Sequence, residues 1–304
     1  MEAHLNKSFK DLAVSVQPYS RCFLDAREMA SDGQSAAAEV FERAAAAGMV
    51  FTPVTGISRT EDVEAALNHG TYGVAVRLTR GELEAGELAR TLLDFMGRRQ
   101  LALEETDLII DLGPVDDLVV AGVIGLTETF LQDVPNHQRW RTFTISACAF
   151  PSSMGVVDRN SHDLIERSDW MAWRDNLYAR RQDILRLPTF SDCAIQHTLG
   201  VEGFNPMTMH VSASIRYTSR DDWLIIKGES TRRRLPSKQF PDLATQLVHG
   251  HLKPHFAGPN HCSGCASIQD SALGASGLGS PEAWRRIGTI HHITAAMQNL
   301  ASLP

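Results

Sequence analysis

Residues 73–117 have the sequence GVAVRLTRGELEAGELARTLLDFMGRRQLALEETDLIIDLGPVDD, in which two apolar runs flank a helical pattern. The runs at 72–78 and 107–112 are short, rich in Val, Leu and Ile, and apolar on both faces, which is typical of strands buried within a parallel sheet. Residues 83–98 instead place apolar side chains three and four positions apart, which predicts an amphipathic helix. The segment therefore predicts a strand–helix–strand unit with parallel strands.

The same alternation extends in both directions from this segment. Further strands are predicted at residues 21–25, 49–54, 141–150 and 191–196, and further helices at 33–47, 60–68, 115–132 and 168–185. Residues 210–217 and 223–227 are predicted to form two more strands, joined by a hairpin turn at 219–222. Seven or eight such units fit a closed barrel better than an open sheet. The expected fold class is therefore α/β, a barrel of parallel strands surrounded by helices.

The two ends of the chain depart from this alternation. A helix is predicted at 5–13, before the first strand, and beyond residue 237 the pattern predicts helices only, at 239–252, 267–272 and 281–300. We find no linker rich enough in Pro, Gly or Ser to separate domains. We therefore expect a single domain over residues 1–304, with βα units in 1–236 and a helical embellishment in 237–304.

The charge balance and the cysteine count exclude several classes of protein. Twenty-nine basic and 36 acidic side chains give a net charge of −7, and 43% of the residues are hydrophobic, so the chain is neither disordered nor strongly basic. Nucleic acid is therefore not favoured as a partner. No apolar run approaches the roughly 20 residues of a membrane helix, and the start of the chain does not have the pattern of a secretory signal. Five cysteines, an odd number, predict free thiols in a reducing compartment, so we expect a cytoplasmic protein without a membrane partner.

Residues 73–117 occur together with VFTPVTG at 50–56, SASIRYTSRDDWLIIKGE at 212–229 and WRRIGTIHHIT at 284–294. In this order and spacing the segments resemble the family named after the beta protein of satellite phages. The resemblance implies a TIM-barrel-like fold and a role in phage- or prophage-encoded antiviral defence, with a second protein of the same locus as partner. It implies no settled reaction. Members of the family usually open with an additional strand and helix, so the resemblance also implies a barrel that lacks its first βα unit.

Polar residues at the C-terminal ends of the predicted strands are the first candidates for a site, because active sites of parallel barrels lie there. The candidates for catalysis are Asp25, Asp111 and Arg216, and the candidates for ligand binding are Arg77, Ser146, Tyr217 and Lys227. Carboxylates act as general bases or metal ligands, and guanidinium groups bind anions through two hydrogen bonds. We therefore expect a small anionic ligand, with Arg77, Asp111 and Arg216 in one pocket. An ion-pair network that only orders the barrel mouth is the alternative.

A second set of residues has the types that bind zinc: His255, His261, Cys262 and Cys265. Two thiolates and two imidazoles complete a tetrahedral zinc site, although this spacing matches no standard zinc finger. Zinc is the cofactor that the sequence suggests, and a loop of unliganded side chains is the alternative. In the last predicted helix, we expect one of His291 and His292 to face the core and the other to face solvent.

Three functions from different classes stay open. The first is an enzyme, a hydrolase that acts on a phosphorylated or nucleotide-like substrate. The second is a sensor in which the same pocket binds a phage-derived signal while a partner protein executes the response. The third is an assembly subunit, for which the polar mouth contributes only stability.

Overall fold

The predicted alternation of strands and helices is present in the structure, and its strands form a parallel sheet. The structure, a computed structural model, describes residues 2–17, 21–31, 34–198, 212–275 and 279–304. Residue 33 of one predicted helix and residues 210 and 211 of one predicted strand lie outside the described residues. The strands are, in chain order, β1 (Cys22–Asp25), β2 (Ala30–Ser31), β3 (Gln34–Ser35), β4 (Phe51–Thr55), β5 (Val74–Thr79), β6 (Thr106–Pro114), β7 (Thr142–Cys148), β8 (Ser161–Glu166), β9 (Thr189–Asp192), β10 (Ser212–Ser219) and β11 (Asp222–Ser230).

Six strands form one sheet in the order β1-β4-β5-β6-β7-β9, which curls like half of a barrel. The pairs β1/β4, β4/β5 and β5/β6 are parallel. Every residue of β4 and the first seven residues of β6 are buried, as expected of parallel strands that are covered on both faces. The α/β class is therefore confirmed, whereas the closed barrel and its missing first unit stay predictions.

Helices connect the parallel strands, as the sequence pattern indicates. They are α1 (Glu2–Val16), α2 (Ala37–Ala46), α3 (Thr60–Asn68), α4 (Arg80–Glu84), α5 (Leu88–Arg98), α6 (Val120–Asp133), α7 (Ser168–Ala172), α8 (Pro236–Val248), α9 (Ser263–Ala272) and α10 (Pro281–Ala301). Among the helices in the described ranges, none combines the length with the apolar character that a membrane span requires.

Two of the predicted helices are interrupted. The helix predicted at 83–98 is divided into α4 and α5 because Gly86 and Glu87 have φ angles of +80° and +51°, a left-handed conformation that a right-handed helix does not contain. The helix predicted at 168–185 is regular only in α7, and a π-helical segment, Trp173–Tyr178, follows it.

The predicted hairpin belongs to a second, antiparallel sheet with the order β10-β11-β8. β11 pairs with β10 on one side and with β8 on the other, where Trp223 lies opposite Ile165. Sequence reasoning missed β8, since SHDLIE is polar and mostly exposed and therefore shows no buried apolar run. The two predicted strands at 210–217 and 223–227 are consequently not part of the parallel sheet.

The chain forms two compact units, each with its own core. Unit 1 comprises Met1–Gly113, Gly125–Ser146 and Leu177–Ser191, and unit 2 comprises Pro114–Ile124, Ala147–Asn176 and Asp192–Pro304. In unit 1, Phe41 of α2 stacks on Phe51 of β4 with ring centroids 5.9 Å apart. In unit 2, Phe240 of α8 stacks on Trp284 of α10 at 4.8 Å. The expected single domain over 1–304 stays a prediction.

Two of the cysteines form a disulfide bond within unit 2. Cys148 ends β7 and Cys193 follows β9, and the Cα atoms are 5.2 Å apart, which is an ordinary separation for a disulfide. The prediction of free thiols is therefore wrong for this pair. The two residues are 45 positions apart and meet because β7 and β9 are neighbours in the sheet. Cys22, Cys262 and Cys265 are free.

Two adjacent leucines of α5 test the packing of unit 1. Leu92 is fully buried, whereas Leu93 is 40% exposed. We expect Leu92→Ala to lower the free energy of unfolding by about 2–5 kcal/mol because it leaves a cavity, and Leu93→Ala to change it by only about 0.5 kcal/mol. Urea unfolding followed by circular dichroism measures both variants, and equal losses would contradict this orientation of α5.

Candidate functional site

Three of the predicted site residues lie on one face of the parallel sheet, near the C-terminal ends of their strands. The register places Asp25 beside Val54 and Val54 beside Ala75. Arg77 follows Ala75 by two positions, so its side chain points to the same face. Asp111 lies in β6, and its carboxylate contacts Arg77. We call the end of the sheet at which these parallel strands terminate the carboxyl edge.

Arg77 connects the two carboxylates. Its Nε and Nη2 donate to Oδ2 of Asp111 at 3.0 and 2.6 Å, and its Nη1 donates to Oδ2 of Asp25 at 2.8 Å. The other oxygen of Asp111 accepts a hydrogen bond from the N–H of Gly113 at 3.0 Å. Burial alone lowers the pKa of the Arg77 guanidinium, but the charges of Asp111 and Asp25 outweigh it and raise that pKa. Arg77 therefore stays charged.

Two further arginines reach the same carboxylates. Arg59 donates to both oxygens of Asp25, from Nη1 at 2.7 Å and from Nη2 at 3.3 Å. The backbone N–H of Arg27 donates to Asp25 at 3.0 Å, and its Nη1 lies 3.5 Å from Oδ2 of Asp111. Burial raises the pKa of Asp25, but hydrogen bonds from Arg59, Arg27 and Arg77 outweigh it, and the net shift is downward. Asp25 therefore stays ionised.

Sequence reasoning missed Arg27 and Arg59, since it considered only the last residues of each strand. The signal that points to them is their position in the loops after β1 and β4, where parallel folds place many ligand-binding residues. We refer to the complete set as the Asp–Arg cluster: Asp25, Arg27, Arg59, Arg77 and Asp111.

Within the Asp–Arg cluster, two guanidinium groups are more exposed than the carboxylates behind them. The side chains of Arg27 and Arg77 are 33% and 22% exposed, against 18% for Asp25 and 6% for Asp111. The carboxylates thus hold the guanidinium groups in fixed orientations while both arginine side chains stay partly exposed. This arrangement presents preorganised hydrogen-bond donors to an anion.

The opposite end of β6 also carries an aspartate that is paired with an arginine. Asp107 is fully buried and accepts from Nε and Nη2 of Arg141 at 3.0 and 2.5 Å. The hydroxyl of Thr142 and the guanidinium of Arg21 also donate to it, at 2.7 and 3.4 Å. In parallel barrels, residues at the corresponding amino ends of the strands, here called the amino edge, usually serve stability. The pair Asp107–Arg141 is therefore a natural structural reference for Asp111–Arg77.

Neither Ser146 nor Arg216 has a described hydrogen bond or ion pair with the Asp–Arg cluster. Ser146 is half-buried in β7, and none of the described hydrogen bonds or ion pairs joins it to the Asp–Arg cluster. Arg216 lies in the antiparallel β10 of unit 2, where its Nη1 donates to the carbonyl of Ile195 at 2.7 Å. Burial and the nearby Arg285 lower its pKa to about 10. The premise that Arg216 ends a parallel strand is therefore wrong, and its catalytic role stays a prediction.

Tyr217 and Lys227 share the antiparallel sheet of unit 2, so neither ends a parallel strand. Tyr217 is fully buried, and its hydroxyl accepts a hydrogen bond from the N–H of Ala257 at 2.9 Å. The ammonium group of Lys227 donates to the carbonyls of Met154 and Val157 at 2.6 and 2.5 Å. Both side chains thus have structural partners, and their ligand-binding roles stay predictions.

The predicted zinc ligands are only partly brought together. The ligand atoms of His261, Cys262 and His291 all lie within 4.8 Å of one another. Cys265 joins them through its Sγ, which is 3.2 Å from Nδ1 of His291. His255 is not in this group, and its Nδ1 is hydrogen-bonded to the hydroxyl of Ser219 at 2.9 Å. Sequence reasoning missed His291 as a ligand because it lies 26 positions after Cys265, on another helix.

Both histidines of α10 are buried, at 1% and 2% exposure, so the expectation that one faces solvent is wrong. His292 lies between Asp192, whose Oδ1 is 3.1 Å from Nε2, and Thr218, whose hydroxyl is 2.8 Å from Nδ1. This Asp–His–Thr order is that of a nucleophilic triad. Thr218 is only 3% exposed, however, so the hydroxyl lacks access to a substrate. The chain of hydrogen bonds therefore serves the interior of unit 2.

The pair of Cys265 and His291 is also not an activated nucleophile. Burial raises the pKa of the Cys265 thiol to about 12 and lowers that of His291 to about 4. A catalytic cysteine instead needs a low pKa and access to solvent. In the absence of another ligand, both groups are neutral.

A groove of about 800 Å³ lies in unit 1, lined by residues that include Glu128, His137, Arg180 and Arg186. None of the predicted site residues lines it. Its arginines have structural partners, since Arg180 pairs with Glu128 at 2.5 Å and Arg186 donates to the carbonyl of His137 at 3.2 Å. The groove therefore adds no residues to the candidate site.

The curled parallel sheet and the Asp–Arg cluster at its carboxyl edge define the class: an α/β protein with charged side chains where its parallel strands end. The family model described as Beta protein matches residues 1–298. The chain belongs to the Beta protein family. No curated protein and no solved structure matches the chain significantly.

Asp169 in unit 2 makes the stability of the protein depend on pH. Its buried carboxylate accepts hydrogen bonds from the N–H groups of Ala149 and Trp170 at 3.2 and 2.7 Å. Burial, and secondly the charge of Asp192, raise its pKa from 3.8 to about 7. Between these values the folded protein holds a proton that the unfolded chain has lost. The contribution of Asp169 to the free energy of unfolding therefore falls as the pH rises through this window.

We expect Asp169→Asn to remove this dependence. The free energy of unfolding of the variant minus that of the wild type should rise between about pH 5 and pH 7, by up to about 1.4 kcal/mol per pH unit. Taking this difference cancels groups such as His291, which titrate in both proteins. Exposed Asp163→Asn is the control, and urea unfolding at each pH is the measurement. A constant difference for Asp169→Asn would contradict the raised pKa.

Proposed function

We propose that the Asp–Arg cluster binds a small anionic, phosphate-bearing ligand, and that the protein acts in phage- or prophage-encoded antiviral defence in the cytoplasm. The resemblance to the beta protein of satellite phages supports the defence role and a partner protein from the same locus. The place of the cluster at the carboxyl edge supports the ligand site. We further propose that the six-stranded sheet belongs to a TIM-barrel-like (β/α) barrel.

The observation that carries this proposal is the position of Arg77. Its guanidinium is held by Asp25 on one side and by Asp111 on the other, and yet it is 22% exposed. A guanidinium that is already fixed loses little side-chain entropy when an anion binds. Three of its five N–H groups donate to Asp25 and Asp111, which leaves two that can donate to phosphate oxygens. Arg27, which is 33% exposed, extends the same donor surface toward solvent.

The geometry favours recognition over proton transfer. Asp25 accepts hydrogen bonds on both oxygens, and so does Asp111. A carboxylate that is held in its charged form by several donors, as Asp25 is, is a poor general acid and a weak base. Among the three functions that the sequence leaves open, the site therefore favours a sensor that binds a phosphorylated signal over a hydrolase.

A matched pair of arginine variants separates ligand binding from structural ion pairing. Arg77 and Arg141 each donate two hydrogen bonds to a buried aspartate of β6, and their side chains are 22% and 24% exposed. Either Arg→Gln change leaves a buried carboxylate without its main partner, which costs up to about 3–5 kcal/mol. Both variants should therefore melt at lower temperature than the wild type.

The two variants should differ in their response to inorganic pyrophosphate, used as the probe. We expect pyrophosphate to raise the Tm of the wild type and of Arg141→Gln, because bound ligand stabilises the folded state. Arg77→Gln should lose this rise, and protection against phage with it. Differential scanning fluorimetry with and without pyrophosphate is the measurement. A rise that is absent from the wild type, or lost equally in both variants, would contradict the proposal.

Arg27→Gln supplies a variant that keeps the buried ion pairs. The Nη1 of Arg27 is 3.5 Å from Asp111, so its removal leaves the bonds of Arg77 intact. We expect near-normal melting and pyrophosphate binding weakened about tenfold, the usual worth of one charged hydrogen bond. Arg139→Gln, which removes an exposed arginine paired with Glu104, is the control. Titration calorimetry measures both, and unchanged binding by Arg27→Gln would remove it from the site.

A further inference from the structure

Two cysteines and two histidines meet in the interior of unit 2. Cys262 immediately precedes α9 and Cys265 lies in its first turn, whereas His291 comes from α10 and His261 from the loop before α9. Cys265 and His291 are fully buried, and His261 and Cys262 are half-buried. We call these four residues the Cys–His cluster. The function proposed above does not use it.

The distances within the Cys–His cluster are close to those around a metal ion. Bonds of about 2.0–2.3 Å in a tetrahedral zinc site place the ligand atoms about 3.3–3.8 Å from one another. The Sγ of Cys265 is 3.2 Å from Nδ1 of His291. The ligand atoms of His261, Cys262 and His291 lie within 4.8 Å of one another. Cys265 is not part of that three-residue set, so side-chain movements are needed before all four ligand atoms reach bonding distance of one ion.

The surroundings of His291 select the nitrogen that faces the cluster. Its Nε2 is 2.8 Å from the carbonyl oxygen of Thr218, which only accepts hydrogen bonds, so Nε2 carries the proton. The lone pair of Nδ1 then points toward Cys265. Metal-binding histidines usually donate their second N–H to a carbonyl or carboxylate in this way. The orientation of His291 is therefore that of a ligand.

The two sulfur atoms also have the partners that metal-bound thiolates have. The Sγ of Cys262 accepts a hydrogen bond from the N–H of Cys265 at 3.3 Å, at the N-terminus of α9, where negative charge is favoured. The hydroxyl of Tyr217 accepts from the N–H of Ala257, so its own proton is free to bond Sγ of Cys265, 3.4 Å away. In both contacts the sulfur atom accepts a hydrogen bond, as a metal-bound thiolate does.

Two further observations are consistent with an ion bound by the Cys–His cluster. Nε2 of His261 is buried and has no hydrogen-bond partner among the described residues, a costly state for a polar atom. Gly264 allows α9 to approach α10 closely, because a Cβ at this position would lie 2.6 Å from the carbonyl of Ile287. The close approach places the Cys-x-x-Cys segment against His291.

We propose that His261, Cys262, Cys265 and His291 bind one structural zinc ion. Two thiolates and two imidazoles suit zinc, a borderline-soft ion, better than magnesium or calcium, which prefer oxygen ligands. Binding releases the two thiol protons to solvent, so the pair of thiolates balances the charge of Zn²⁺. Four protein ligands close the coordination shell, as in structural rather than catalytic sites. The ion ties α9 and its preceding loop to α10.

The test is the zinc content of the untagged protein, purified without added metal and measured by mass spectrometry. We expect about one zinc per chain in the wild type and almost none in Cys262→Ser or His261→Gln after dialysis. Cys22→Ser and His255→Gln are the controls and should keep the full content. Retention of zinc by His261→Gln together with its loss from His255→Gln would overturn this ligand set.

Further measurements on the wild-type protein test the proposal in case the ligand variants fail to fold. Cobalt that replaces zinc in the same site should give the absorption of a tetrahedral ion with thiolate ligands, and zinc should protect Cys262 from alkylation while Cys22 stays reactive. Wild-type protein that holds no zinc even after titration with one equivalent overturns the proposal. A disulfide between Cys262 and Cys265 in the purified protein overturns it as well.

Discussion

The carboxyl edge of the sheet depends on the ion pairs that Arg77 makes with Asp25 and Asp111. A buried carboxylate costs several kcal/mol unless a partner compensates for it, so β1, β5 and β6 must keep the register that places these three residues on one face. A shift of β5 by one residue would turn Arg77 to the other face of the sheet and remove its hydrogen bonds to both carboxylates. The polar residues thus specify the register of strands whose apolar side chains alone would tolerate alternatives.

β6 shows how the same chemistry occurs at both ends of one strand. Asp107 and Asp111 face the same side, and Ile109 between them packs with Val54 and Ala75 into a small apolar cluster. This apolar layer separates the two charged groups, so each end must neutralise its own carboxylate locally. Arg141 does so at the amino edge and Arg77 at the carboxyl edge. What distinguishes the carboxyl edge is the additional presence of two arginines from the βα loops.

In unit 2, the close approach of α10 to β10 determines which polar groups come within hydrogen-bonding distance. A Cβ at Gly288 would lie 2.7 Å from the carbonyl oxygen of Arg216, so a larger residue would push the helix away from the strand. The close approach lets His291 reach the carbonyl of Thr218, and His292 reach its hydroxyl. Gly288 thus allows the buried polar side chains of α10 to reach hydrogen-bond partners in β10. The zinc site proposed above requires the same approach, since it takes one of its ligands from α10.

The sequence by itself determined the α/β class, the parallel pairing of the central strands, and the positions of Asp25, Arg77 and Asp111 near strand ends. These follow from the alternation and length of apolar runs, which are local properties of the chain. Only the tertiary structure decided that β10 and β11 pair with β8 in a separate sheet, that Arg27 and Arg59 join the cluster, and that His291 rather than His255 meets the cysteines. The physical reason is that strand partners, ion pairs and ligand sets depend on contacts between residues distant in the chain, which no local pattern records. The disulfide of Cys148 and Cys193, 45 positions apart, is the simplest example.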